Sequence, residues 1–216
     1  MVTTYTRIMD WQLDAAELRV LGALMEKEVA TPEYYPLSLN ALVNACNQKS
    51  NREPVVAYDD ETVETALEGL RGKGLAMRVT GRDSRVPKHE QRFTERFNLG
   101  RREAAILCVL MLRGPQTVGE LRGRSERLYN FEDLDGVEST LHKLVETGFV
   151  KQLPRRTGYK EQRWAQLLAG NVEVDAEEAA SAPAEHRDSD RDRIAALERE
   201  VAELRTQLDE FRRKFE

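Results

Sequence analysis

The side chains with the clearest chemical potential in this 216-residue chain are arginines and lysines grouped in short clusters. Guanidinium and ammonium groups bind phosphates, so such clusters are typical of nucleic-acid contacts. They lie in two turn-rich segments, 81–90 and 154–160, and beside two short helical stretches. The candidate nucleic-acid contacts are Arg82, Arg85, Lys88, Arg92, Lys49, Arg52, Arg122, Arg124, Arg127, Arg155, Arg156, Lys160 and Arg163.

A structural role is the alternative for each of these cations. Arginines of the turn-rich segments can pair with Glu90, Glu95 or Glu161, and exposed ion pairs of this kind contribute little to stability. The amide-rich segment 47–52 can cap helix ends instead of contacting phosphates or bases. A continuous positive face would favour the nucleic-acid interpretation, and scattered, neutralised arginines would exclude it.

The sequence carries no recognisable catalytic or metal-binding motif. The histidines, His89, His142 and His186, stand far apart, and GxSxG, Walker and GxGxxG segments do not occur. Cys46 and Cys108 lack a CxxC pattern or a Cys/His ligand set, so we expect both thiols in the core. We therefore predict a protein that is not an enzyme and that uses no cofactor or metal.

An internal repeat organises the chain. Residues 61–79 align without gaps on residues 135–153, and residues 13–25 align on residues 99–111. The offsets are 74 and 86, so the first copy has a middle that is longer by 12 residues. A repeat of this kind predicts two related domains in series.

Each copy has the pattern of three helices and a two-stranded hairpin, which predicts a mainly helical α+β fold with domains at 1–98 and 99–169. Capping-box spacings begin one helix in each copy, at Asp14 and at Thr117. Alternation predicts the strands of the first hairpin from Leu75, Met77 and Val79 and then from Phe93, Phe97 and Leu99. Helical spacing predicts that the third helix of the second copy buries Val137, Leu141, Leu144 and Val145.

Three helices and a basic hairpin, or wing, in this order make up the winged-helix variant of the helix-turn-helix fold. The segments TVGELRGR and VESTLHKLVETGFVKQ of the second copy resemble bacterial regulators of that type. NACNQKSNREP, SRVPKHEQR and RGPQTVGELR together resemble the bacterial YceH family of tandem winged-helix proteins, over residues 12–168. The resemblance implies two winged-helix domains in tandem and brings no established ligand or reaction.

The third helix of each copy is acidic where a helix-turn-helix protein would contact the major groove. The acids are Asp59, Asp60, Glu61, Glu64 and Glu68 in the first copy and Asp133, Asp135, Glu138 and Glu146 in the second. Those in the first turn also favour the helix dipole, but Glu64, Glu68 and Glu146 lie beyond it. Because carboxylates repel phosphates, we expect contacts through the wings and second helices, to DNA or to a protein partner.

Charge is unevenly distributed along the chain. Lysine and arginine minus aspartate and glutamate gives −2 for residues 1–100, +3 for residues 101–170 and −6 for residues 171–216. Since phosphate contacts dominate nucleic-acid affinity, the second domain is the better candidate for DNA binding. The first domain, with its longer segment NREPVVAY, is the better candidate for partner contacts.

The C-terminal segment differs in character from the rest. Residues 170–192 form an acidic linker, and residues 193–216 carry apolar side chains at alternating steps of three and four. This pattern predicts a coiled-coil helix that forms a homodimer, and an amphipathic helix folded back on its own domains is the alternative. The seam residues are Ile194, Leu197, Val201, Leu204, Leu208, Phe211 and Phe215.

The leading hypothesis is a cytoplasmic, homodimeric DNA-binding protein that uses its basic wings and acts in transcriptional regulation. We expect no membrane association because no apolar run approaches the roughly 18 residues of a span and no secretory signal is recognisable. The alternative is an adaptor that binds proteins and never nucleic acid.

Overall fold

The computed structural model describes residues 12–79, 86–155 and 161–170. This part of the chain is α+β and mainly helical, which confirms the fold class at that level. The helices are α1 (Ala15–Ala30), α2 (Leu39–Cys46), α3 (Asp60–Gly72), α4 (Phe93–Arg96), α5 (Arg101–Arg113), α6 (Val118–Ser125) and α7 (Leu134–Glu146). The strands are β1 (Leu37–Ser38), β2 (Ala76–Val79), β3 (Lys88–Gln91), β4 (Val150–Gln152) and β5 (Trp164–Gln166). None of the described helices is both long and apolar enough to cross a membrane.

Helix starts are fixed by the capping residues that the sequence predicts. The Asp14 carboxylate accepts the N–H of Glu17 at 2.8 Å, and the Glu17 carboxylate accepts the N–H of Asp14 at 3.0 Å. Thr117 and Glu120 make the same reciprocal pair at the start of α6, at 3.2 and 2.9 Å. Each capping box satisfies two N–H groups that the first helical turn leaves free.

The two copies of the repeat, residues 12–98 (the first half) and 99–170 (the second half), share the order of three helices followed by a two-stranded hairpin. The first half has α1, α2, α3, β2 and β3 in this order, with β1 and α4 in addition, and the second has α5, α6, α7, β4 and β5. Strand β1 adds a third, antiparallel strand to the first hairpin by pairing Leu37 with His89. An isolated bridge between Gln116 and Trp164 takes the place of β1 in the second half. The sequence did not predict this additional pairing.

One predicted strand is wrong. The returning strand of the first hairpin is β3, which ends at Gln91, and Phe93 begins the short helix α4 instead of continuing the strand. Helical spacing brings the rings of Phe93 and Phe97 to 5.1 Å, and both pack against Phe149 of the second half, at 5.6 and 5.2 Å. Burying three rings in one cluster favours the helical turn over continued alternation.

One predicted core position faces solvent. Val145 is 43 % exposed, because Leu141 and Leu144 already fill the inner face of α7. The strand predicted from Leu75, Met77 and Val79 is present as β2, with Leu75 buried just before it and Met77 exposed.

The two halves share a continuous core where α1 lies against α5. A Cβ atom at Gly22 would lie 2.9 Å from the side chain of Leu112, and the Cys108 thiol donates to the Gly22 carbonyl at 3.4 Å. Cys46 and Cys108 are both buried, as predicted, and burial raises the pKa of the Cys46 thiol to about 12 and that of Cys108 further. The described residues belong to one compact unit, and the boundary at residue 98 stays a prediction.

Candidate nucleic-acid interface

Arg52 is a structural residue, which corrects its prediction as a nucleic-acid contact. Its side chain is only 4 % exposed and makes a two-point ion pair with Glu26, at 3.1 and 2.6 Å. The guanidinium also donates to the carbonyl of Ala45, at 2.9 Å, and to the side chain of Gln48, at 3.0 Å. These bonds fasten the loop after α2 to α1 and occupy the guanidinium with partners inside the protein.

The first half presents few free cations among its described residues. Arg92 pairs with Glu95 at 2.6 Å and with Glu90 at 3.6 Å, as the structural alternative anticipated. Lys88 lies half-buried in β3, and Lys49 is exposed in the loop after α2. The predicted contacts Arg82 and Arg85 lie outside the described residues.

Three arginines of the second half, Arg122, Arg127 and Arg155, have separate surroundings. Arg122 donates to the carbonyl oxygens of Phe131, at 3.4 Å, and Glu132, at 2.8 Å, and so holds the connection between α6 and α7. Arg127 is exposed and makes no ion pair with any residue that the structure describes. Arg155 is exposed at the end of the described part of the second hairpin. The predicted contacts Arg156 and Lys160 lie outside the described residues.

Arg124 and Arg163 converge on one carboxylate. Arg124, from α6, lies 3.3 Å from the Glu120 carboxylate, and Arg163, just before β5, lies 3.8 Å from the same oxygen. Arg124 also donates to the side-chain oxygen of Gln116, and Arg163 to the carbonyl of Pro115 at 3.5 Å. The carboxylate of Glu120 is therefore shared by two guanidiniums that come from distant parts of the sequence.

A third arginine beside this pair was missed by the sequence analysis. Arg113, the last residue of α5, donates to the side-chain oxygen of Asn51 at 2.6 Å and has no carboxylate within ion-pair distance among the described residues. Burial lowers the pKa of Arg113, and the charges of Arg124 and Arg52 lower it further. A basic residue before Gly-Pro at a helix end was the available signal, and alone it indicates only a favourable charge at the C-terminus of the helix.

These side chains line a cleft of about 530 Å³, which we call the arginine cleft. One wall comes from the loop after α2, where the N–H of Glu53 donates to the Leu112 carbonyl at 2.9 Å. The other wall comes from the second half. The charged residues that line it are Arg52, Glu53, Arg113, Glu120, Arg124 and Arg163.

The third helices of the two halves, α3 and α7, present acidic side chains to solvent. Asp59 caps α3 and Asp133 caps α7, each by accepting a backbone N–H, at 2.9 and 2.8 Å. Hydrogen bonds from Thr62 lower the pKa of Asp59. The acidic residues that sequence analysis named on these helices are all exposed: Asp59, Asp60, Glu61, Glu64, Glu68, Asp133, Asp135, Glu138 and Glu146.

The predicted dimerisation segment falls outside the described residues. This applies to the linker and to every seam position: Ile194, Leu197, Val201, Leu204, Leu208, Phe211 and Phe215. Coiled-coil formation and homodimerisation therefore stay predictions.

Comparison with known proteins supplies a family. A family model described as "Protein of unknown function, DUF480" matches residues 13–159. The chain is 76 % identical over 208 residues to a UPF0502 protein of Solibacter usitatus, which covers 96 % of this chain and 100 % of that protein. UPF0502 proteins of Opitutus terrae and Pelobacter propionicus are 53 % and 49 % identical, over 89 % and 96 % of this chain and 83 % and 100 % of theirs. The chain therefore belongs to the DUF480, or UPF0502, family of bacterial proteins.

Proposed function

We propose that this is a non-enzymatic, cytoplasmic protein of two winged-helix domains that binds duplex DNA by phosphate contacts and acts in transcriptional regulation. The order of elements supports the winged-helix assignment, since each half has three principal helices, a hairpin and one further pairing ahead of the second helix. The predicted coiled coil would bring two copies onto one duplex.

The observation that carries the proposal is the convergence of Arg113, Arg124 and Arg163 in one cleft. Guanidinium groups bind phosphate oxygens through paired N–H donors, which makes arginine the preferred side chain for such contacts. Arg127 and Arg155 are also exposed and add positive charge to the surface of the same half. Residues 101–170, which make up nearly all of this half, have a net charge of +3.

The acidic third helices determine the mode of binding that we propose. An exposed row of carboxylates would repel the phosphates on either side of a major groove. We therefore propose that the third helices do not read bases and that the arginines contact the backbone. Binding of this type has little sequence preference and weakens steeply with salt.

A protein-binding adaptor is the second candidate, and a face of α7 favours it. Leu134 and Val145, 46 % and 43 % exposed, are 11 residues apart, which places them on the same side of a helix three turns apart. Exposed Glu138 lies on that side as well. Such a mixed apolar and acidic face suits a protein partner better than a nucleic acid.

Fluorescence anisotropy with a labelled duplex of about 30 base pairs separates the candidates. We expect binding at 50 mM salt that the double substitution Arg124→Gln with Arg163→Gln weakens about 100-fold or more, since each lost charged hydrogen bond costs about 1.5 kcal/mol or more. Arg101→Gln, which removes an exposed charge at the opposite end of α5, is the matched control and should leave the affinity within twofold. Absence of binding at 50 mM salt would favour the adaptor.

A further inference from the structure

We infer that the arginine cleft is a site for a single phosphate group, held by Arg113, Arg124 and Arg163 between the two halves of the molecule. The inference deepens the proposed function and rests on it in one respect, because the same guanidiniums would receive a DNA phosphate. The cleft has room for such a group, at about 530 Å³.

The charges that line the cleft do not balance. Arg52 is matched by Glu26, so its charge is compensated within the protein. Three arginines then remain against two carboxylates, Glu53 and Glu120. The excess of one positive charge equals the single negative charge of a phosphodiester.

Arg113 is held near other arginines by a neutral partner. Asn51 accepts its hydrogen bond, and no described carboxylate pairs with it. Holding like charges together in a partly buried cleft is unfavourable unless an anion is present. The lowered pKa of Arg113, caused by burial and by Arg124 and Arg52, agrees with that cost.

A buried amide, that of Gln116, removes the main obstacle to an anion in the cleft. The last carbonyl oxygens of α5 and its following turn would repel a phosphate. The side-chain amide nitrogen of Gln116, a residue only 3 % exposed, lies within hydrogen-bond distance of the carbonyl oxygens of Arg113, Gly114 and Pro115, at 3.0, 3.3 and 3.0 Å, and its two N–H groups are shared among them. Its oxygen accepts from Arg124. Gln116 therefore covers the carbonyls and orients a cationic side chain of the cleft at the same time.

The longer middle of the first copy has a role in this arrangement. It includes the loop that carries Asn51, Arg52 and Glu53, which contacts α1 through Arg52 and the end of α5 through the other two. The corresponding connection of the second copy, residues 126–133, is shorter than residues 47–59 of the first. The longer connection of the first copy thus supplies one wall of the cleft, and a bound phosphate would link both halves.

The test uses the full chain and two probes, inorganic phosphate and the 30-base-pair duplex. Phosphate binding is measured by isothermal titration and by the rise in melting temperature in sodium phosphate over sodium chloride of equal ionic strength. We expect Arg113→Gln to raise the phosphate Kd about tenfold or more, since it removes a charged hydrogen-bond donor. Arg101→Gln, at the other end of α5, removes the same charge and should leave the Kd unchanged.

The outcomes separate the site from the proposed function. If Arg113→Gln weakens both phosphate and duplex binding, the site receives a backbone phosphate. If Arg113→Gln weakens phosphate binding and the duplex does not bind at all, the phosphate site is supported, with a free phosphate compound as its ligand. The proposed DNA-binding function is then refuted.

If the duplex binds wild type and Arg113→Gln equally well and inorganic phosphate does not bind, the phosphate site is refuted and the proposed function is retained. No binding of either probe overturns both. Circular dichroism shows whether Arg113→Gln is folded. If it is not, Arg163→Gln replaces it in both binding measurements, because Arg163 lies outside α5.

Discussion

Replacing Arg52 with alanine should destabilise the protein strongly and should do so without any nucleic acid present. The side chain is the buried partner of Glu26 and also donates to the carbonyl of Ala45 and the side chain of Gln48. Removing one member of a buried ion pair leaves the other charge uncompensated and costs about 3–5 kcal/mol. With a urea m-value of about 2.5 kcal/mol/M, the unfolding midpoint should fall by about 1–2 M.

The matched control is Arg92→Ala. Arg92 pairs with Glu90 and Glu95 on the surface, so its loss should cost at most about 1 kcal/mol. Urea unfolding followed by far-ultraviolet circular dichroism measures both variants. An Arg52→Ala protein as stable as the wild type would refute the structural role, and weaker duplex binding in that stable variant would restore Arg52 as a contact.

Three further predictions concern other parts of the molecule. Burial, followed by the charges of Arg71 and Arg78 and opposed by Glu64, lowers the pKa of His89 from 6.5, so its neutral form is favoured in the folded state. Unfolding free energy measured by urea titration should therefore drop as the pH falls below 6.5 towards the folded-state pKa, and His89→Gln should lessen that drop. Gly22→Val should cost about 1–3 kcal/mol in the same assay by overpacking the α1–α5 contact, where even a Cβ lies 2.9 Å from Leu112; unchanged stability would contradict the packing. Deletion of residues 190–216 should convert a dimer to a monomer in light scattering, and an unchanged mass would exclude the predicted coiled coil.

Local signals made much of the fold predictable. The capping boxes that begin at Asp14 and Thr117 are complete within four residues of chain, so the sequence alone places those helix starts. Strand β1 has no such signal, because its two residues pair with β3 some fifty residues later. The Phe93 cluster likewise depends on Phe149, which no local pattern connects to it.

In the candidate interface, too, local sequence reveals some features, and others depend on long-range contacts. The sequence analysis named Arg52 as a contact and did not single out Arg113, and long-range contacts gave the two residues opposite roles. Glu26 pairs with Arg52 from 26 residues away, whereas among the described residues the side chain of Arg113 has the neutral Asn51 as its hydrogen-bond partner. The sequence could supply the arginines, but pairing with a carboxylate is decided by the fold.

The salt dependence of duplex binding by the full chain tests the account most directly. One backbone phosphate held in the arginine cleft and one each at the exposed Arg127 and Arg155 make three phosphate contacts. They predict a slope of about −2.7 for log K against log salt, which is about a 40-fold loss of affinity between 50 and 200 mM. Arg113→Gln should make that slope shallower by about one unit. Binding that does not change with salt, or no binding at 50 mM, would contradict the account.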